Sequence, residues 1–239
     1  MAYIEKVTIA GKVKEVEKYF SPRYGKLNIP RSQNINSSPE AVKKVNERQA
    51  ETKLRNLINA NFGYKDIHLV LTYRKELRPL PEQAKIYLDK FMRDLRKLYK
   101  KKGNELKYIS VTEFVSKSIH HHLIINKLDD LSELMDLWQY GQPRPTFLYN
   151  TGEYSQLASY LIKETSKTFN SNDKIYGKRW NASRNLEKPK ITRHLIHRKE
   201  WRKEPKDTKD WILDKNSLYN GFHEVTGYEY QFYSMVRRE

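Results

Sequence analysis

Cysteine is absent from the 239-residue chain. That excludes a disulfide framework, a zinc ribbon and a thiol nucleophile, and leaves His, Asp, Glu or water to hold any bound metal. No apolar run approaches the roughly 18 to 20 residues a membrane span needs, and the N-terminus lacks the apolar stretch of a signal peptide. A soluble cytoplasmic protein with no membrane partner is therefore expected. No GxxxxGK[ST] phosphate loop occurs, so the chain is not expected to hydrolyse ATP. Acidic residues are in short supply: 29 Asp and Glu stand against 46 Lys and Arg, a net charge of +17. Such an excess is the electrostatic footprint of a binder of phosphate backbones, which makes nucleic acid the default partner. The 17 tyrosines add aromatic faces on which unpaired bases can stack.

Local patterning predicts the elements. Residues 1–20 alternate apolar and polar around Gly11-Lys12 and read as a β-hairpin. Residues 21–38 collect Pro, Ser, Asn and basic residues without periodicity and read as a loop or arm. Ser38-Pro39 then opens a helix with Leu54, Leu57 and Ile58 on one face, ended by Gly63. A strand at 66–73 precedes a helix at 81–103, whose Tyr87, Leu88, Phe91, Leu95 and Leu98 form an apolar stripe. Residues 106–114 and 119–126 read as an antiparallel hairpin, followed by a helix at 129–138, an extended piece at 144–150 and a helix at 153–167. The order β-α-β-β-α-β predicts an α+β fold, a ferredoxin-like split βαβ with an antiparallel sheet and helices on one face. Three stretches are expected: an N-terminal hairpin, arm and helix at 1–65, a core at 66–169, and a basic, aromatic extension at 170–239 that adds a DNA-contacting layer.

The chemistry concentrates in Ile119-His120-His121-His122-Leu123-Ile124-Ile125-Asn126. Side chains alternate along a strand, so His120 and His122 project together while His121 points the other way as a spacer, and its replacement by Phe is expected to be tolerated. Two neutral imidazoles aimed at one point suit a divalent transition metal, and a carboxylate beside them widens the choice toward Mn²⁺ or Mg²⁺. Glu113, on the neighbouring strand of the predicted hairpin, is the nearest candidate. The alternative is a set of solvated histidines at an edge strand.

"IHHHLII" resembles the His-hydrophobe-His signature of the HUH endonucleases, with His121 in the middle position. Three further pieces agree with it in order: "HLVLTY" resembles the strand that opens rolling-circle replication initiators, "KYISVTEF" their carboxylate-bearing strand, and "SYLIKE" their YxxK nucleophile helix. These motifs cover residues 66–167. "SRNLEKP" at 183–189 resembles a feature of replication-associated proteins from phages and mobile elements of Gram-positive bacteria. The resemblance implies that His120, His122 and Glu113 hold Mn²⁺ or Mg²⁺, that Tyr160 is the nucleophile and that Lys163 is its partner. Tyr160 and Lys163 stand three apart and share a helix face. Tyr154 is a competitor with Leu157, not Lys, three residues on. His68 is left out because its strand carries an apolar core run, and Gln156 is a further candidate for orienting water or phosphate.

The implied activity is nicking and rejoining of single-stranded or hairpin origin DNA through a 5′-phosphotyrosine, with helicase and polymerase supplied by the host or element. A relaxase or a transposase shares the same site. Relaxases usually place the nucleophile ahead of the histidines, whereas Tyr160 follows them. A non-catalytic nucleic-acid-binding protein is the alternative of another class.

Overall fold

The computed structural model describes residues 3–21, 24, 38–115, 118–169, 178–197, 201–223 and 227–238. In chain order the elements begin with β1 (Tyr3–Ala10), β2 (Val13–Phe20), α1 (Pro39–Asn61), β3 (Ile67–Leu71) and α2 (Pro81–Lys101). They continue with β4 (Tyr108–Val115), β5 (Ser118–Ile125), α3 (Ser132–Asp136), β6 (Pro143–Phe147) and α4 (Ser155–Phe169). The last are β7 (Asn181–Ala182), β8 (Lys190–Ile196), β9 (Trp211–Phe222) and β10 (Glu229–Arg237). The expected arm at 21–38 lies, apart from residues 21, 24 and 38, outside the described residues.

Two compact units result, Val45–Glu187 and the discontinuous pair Met1–Lys44 with Lys188–Glu239. They do not follow the expected boundaries at 65 and 169. The reason is strand pairing: in the discontinuous unit the five-stranded antiparallel sheet runs β8-β1-β2-β10-β9, so the N-terminal hairpin pairs with C-terminal strands on both sides. Gly11, at φ 58°, takes the first position of the two-residue turn that joins β1 to β2, where a glycine is favoured. Val16, Tyr233 and Met235 form this unit's buried cluster.

The unit Val45–Glu187 carries the α+β core. Its antiparallel sheet runs β6-β3-β5-β4-β7. β3, α2 and β4 form a split βαβ, with β5 inserted between the two strands that α2 connects. Alternation then sorts the side chains. Ile67, Leu69 and Leu71 of β3 and Ile119, Leu123 and Ile125 of β5 face α2 and Trp138. Ile109 and Val111 of β4 and Ile124 of β5 face Leu54 and Ile58 of α1 and Ala158, Leu161 and Ile162 of α4. Helices therefore cover both faces, in place of the one-sided cover expected, because both faces of this sheet carry apolar rows that must leave water. α2 stops cleanly: Gly103, at φ 72°, donates to the Lys100 carbonyl while Asn104 donates to that of Tyr99, a Schellman ending.

Candidate active site

β5 occupies the middle of its sheet, so its side chains meet those of both neighbours. Glu113 of β4 stands opposite His120, and Val111 opposite His122. On the other side Val70 of β3 stands opposite His122. Directly opposed residues share a face, and so does every second residue along a strand. Glu113, His120, His122 and His68 therefore project together, on the face that α1 and α4 cover further along.

Their atoms are in contact. His120 Nδ1 and His122 Nε2 each lie 3.1 Å from Glu113 Oε1. His68 Nε2 lies 3.2 Å from His122 Nδ1, the two rings stacked at 5.4 Å. Glu113 and His122 are buried, whereas the His120 side chain keeps 30% of its surface and opens the cluster to solvent. Burial pushes the Glu113 carboxyl up, but His120 and His122 outweigh it and hold it at about 2. Burial, with His122 adding to it, pushes His68 down to about 4, so His68 is a neutral ring near pH 7.

Four residues of α4 and its approach were expected here, and they separate by burial. Ala158, Leu161 and Ile162 seat the helix on the sheet. Tyr160 flanks that seam, 44% exposed, with its ring 5.6 Å from that of His122 and turned edge-on at 74°. Burial, then the charges of Glu113 and Glu164, raise its phenol above the ordinary tyrosine value. Lys163 is exposed one turn further along, and Gln156 is exposed one turn before. Tyr154 is 4% exposed and belongs to the core. Its hydroxyl donates to the Tyr149 carbonyl at 2.9 Å, and burial pushes the phenol up to about 12.

His121 points away from this cluster, as alternation requires, but it is more than a spacer. It is fully buried, with Nε2 2.8 Å from the Tyr73 hydroxyl and Nδ1 2.9 Å from Thr112 Oγ1. Burial lowers it to about 3, so it is a neutral ring holding two hydroxyls. His68 is the residue that sequence reasoning missed. Its signal was present: Ile67, Leu69 and Leu71 occupy the core side of β3, so His68 between them had to face the other way.

Among the described residues no three His, Asp or Glu side chains stand open as a preformed metal cage, since the donor atoms touch one another. The donor set nonetheless fits a divalent cation. Glu113 Oε2 and His122 Nε2 are buried without a hydrogen-bond partner, an arrangement that costs about 1–3 kcal/mol per group unless something else binds there. Two ligand atoms at right angles and about 2.1 Å from one cation stand about 3 Å apart. The 3.1 Å separations of the histidine nitrogens from Glu113 Oε1 are of that size.

No curated protein and no solved structure matches the chain. Residues 66–169, the stretch that contains His68, Glu113, His120, His122, Tyr160 and Lys163, match the model of a family of replication-associated proteins, the ORF2 type.

Proposed function

We propose that this protein is a metal-dependent, HUH-type endonuclease and strand transferase that nicks single-stranded or hairpin origin DNA and initiates rolling-circle replication. The observation that carries the reading is the gathering of Glu113, His120 and His122 on one sheet face with the exposed Tyr160 ring 5.6 Å from His122. The similarity of residues 66–169 to a replication-associated family supports it, as does the net charge of +17.

In this reading Tyr160 Oη attacks the scissile phosphorus, and the bond from phosphorus to the 3′ oxygen breaks. The departing oxygen takes up one proton as the phenol gives one up, so the step leaves a 5′-phosphotyrosine and a free 3′-OH without net proton release. Attack by a 3′-OH on the same linkage runs the step backwards and joins strands. A phenol titrating at ~10 is a weak nucleophile at neutral pH, and burial with Glu113 and Glu164 raises this one further. Lys163, three residues on along the same helix face, supplies a positive charge beside the reacting phosphate. Mn²⁺ or Mg²⁺ held by His120, His122 and Glu113 would draw charge from a non-bridging phosphate oxygen. Neutral His68, against His122 Nδ1, fixes that ring with Nε2 turned toward Glu113. The 3′-OH primes synthesis by a separate polymerase, with unwinding left to a separate helicase.

The test is to mix the protein with Mn²⁺ and single-stranded oligonucleotides that tile the DNA flanking its gene, then resolve the products under denaturing conditions. A protein-DNA adduct that chelator prevents is the expected result. No adduct with any single strand would instead favour a protein that binds DNA without cutting it.

A further inference from the structure

A second feature of the unit Val45–Glu187 is used by none of the chemistry above. β7 pairs with β4, Ala182 opposite Ile109 and Asn181 opposite Ser110. Between β7, the residues just before it, and α1 lies a groove of about 610 Å³, within the range of small-ligand pockets and large enough for a nucleotide. Lys53 of α1 and Lys178 and Arg179 before β7 line it, together with Trp180, and none of the described residues lining it is a carboxylate. Asn46 and Gln49, three apart on α1 and therefore on one face, line it as well.

Each part of this lining has a matching part in an unpaired nucleotide. Trp180 is half-buried and packs against the core beneath α1 and α4, so its indole is a fixed stacking surface that loses little freedom when a base covers it. Arg179 is held in place by donating to Ser166 Oγ at 2.8 Å. The three cations match phosphates, and the two carboxamides offer a donor and an acceptor each to a base edge. A duplex hides the faces and Watson–Crick edges of its bases, so this combination suits single strands. Position agrees: Ser110, opposite Asn181, is three residues from Glu113 on β4, about 10 Å along the strand.

We propose that this groove is a nucleotide-reading subsite, in which an unpaired base of single-stranded DNA stacks on Trp180 while Lys53, Lys178 and Arg179 take the flanking phosphates. The proposal rests on the single-strand DNA substrate proposed above, but its test needs no cleavage. The full chain is titrated in EDTA, without added metal, against a fluorescein-labelled single strand of mixed sequence and its duplex, with binding read by anisotropy. Trp180→Ala weakens the single strand about fivefold or more, which at tenfold per 1.4 kcal/mol is about 1 kcal/mol. Trp180→Phe stays within about threefold of wild type, and the duplex affinity changes less than about twofold in either variant. The double variant Lys53→Gln/Lys178→Gln lowers the slope of log K against log salt by about 1.4, at about 0.7 per single-strand phosphate. Single-strand affinity unchanged in Trp180→Ala, an equal loss on duplex, or an unchanged salt slope in the lysine variant overturns the proposal. Should circular dichroism show Trp180→Ala unfolded, the exposed lysine pair decides alone. Trp180-dependent binding without any covalent adduct would remove the nuclease reading and leave this one standing. An adduct with Trp180-independent binding would do the reverse.

Discussion

His121 sits between the two proposed ligands in sequence and behind them in space, joined to Tyr73 and Thr112. Replacing it with Phe would leave both hydroxyls facing an apolar ring. The expected cost is about 1–3 kcal/mol of stability, measured by urea denaturation, in place of the tolerance that a mere spacer would show. His68→Ala acts differently, because it removes the ring that orients His122. It is expected to weaken Mn²⁺ binding about 10- to 100-fold by calorimetry while leaving His120 and Glu113 in place. Tyr154→Phe loses the bond to the Tyr149 carbonyl and about 1 kcal/mol of stability, yet should keep adduct formation. An unchanged melting curve together with lost adduct would reverse the roles given to Tyr154 and Tyr160.

At the scale of elements, the split βαβ explains why the site lies where it does. Inserting β5 between β3 and β4 puts His122 between His68 on one side and Glu113 on the other, which no hairpin alone achieves. The approach to β3 is tightly built. A Cβ added to Gly141 would stand 2.0 Å from the Thr72 carbonyl oxygen, and Trp138 Nε1 already donates to that oxygen at 2.8 Å. Gly141→Ala must shift backbone, and it is expected to cost about 1–3 kcal/mol or more in chemical denaturation. Elements set by local pattern were legible in the sequence: the hairpin at β1 and β2, the amphipathic α2, and the alternation that parts His121 from its neighbours. The second cover of helices was not, since the apolar rows that α1 and α4 bury do not reveal which helix covers which face. His68 was legible by alternation but hidden by the run of Ile67, Leu69 and Leu71 around it.

For the whole molecule, the pairing of β1 and β2 with β8 and β10 could not be read from local periodicity, because nothing local in a strand names a partner some 180 residues or more away. It has a consequence for truncation. A two-stranded hairpin is marginal in water, so removing residues 188–239 should expose residues 3–20 to limited proteolysis. The unit Val45–Glu187, whose strands pair among themselves, should resist digestion longer. No helix among the described residues is long and apolar enough to cross a membrane. The charge of +17 should instead appear as a steep fall of single-strand affinity with salt, linear in log units. A flat salt dependence would contradict the role given to that charge.

The central claim is that Tyr160, set beside His122 at the edge of the Glu113, His120 and His122 cluster, becomes covalently joined to DNA. Its most direct test is fragmentation mass spectrometry of the DNA-linked peptide from a Mn²⁺ reaction. The account predicts the added nucleotide mass on Tyr160 and no linked peptide from Tyr160→Phe. A nucleotide on Tyr154 or Tyr149, or full adduct yield from Tyr160→Phe, would contradict it.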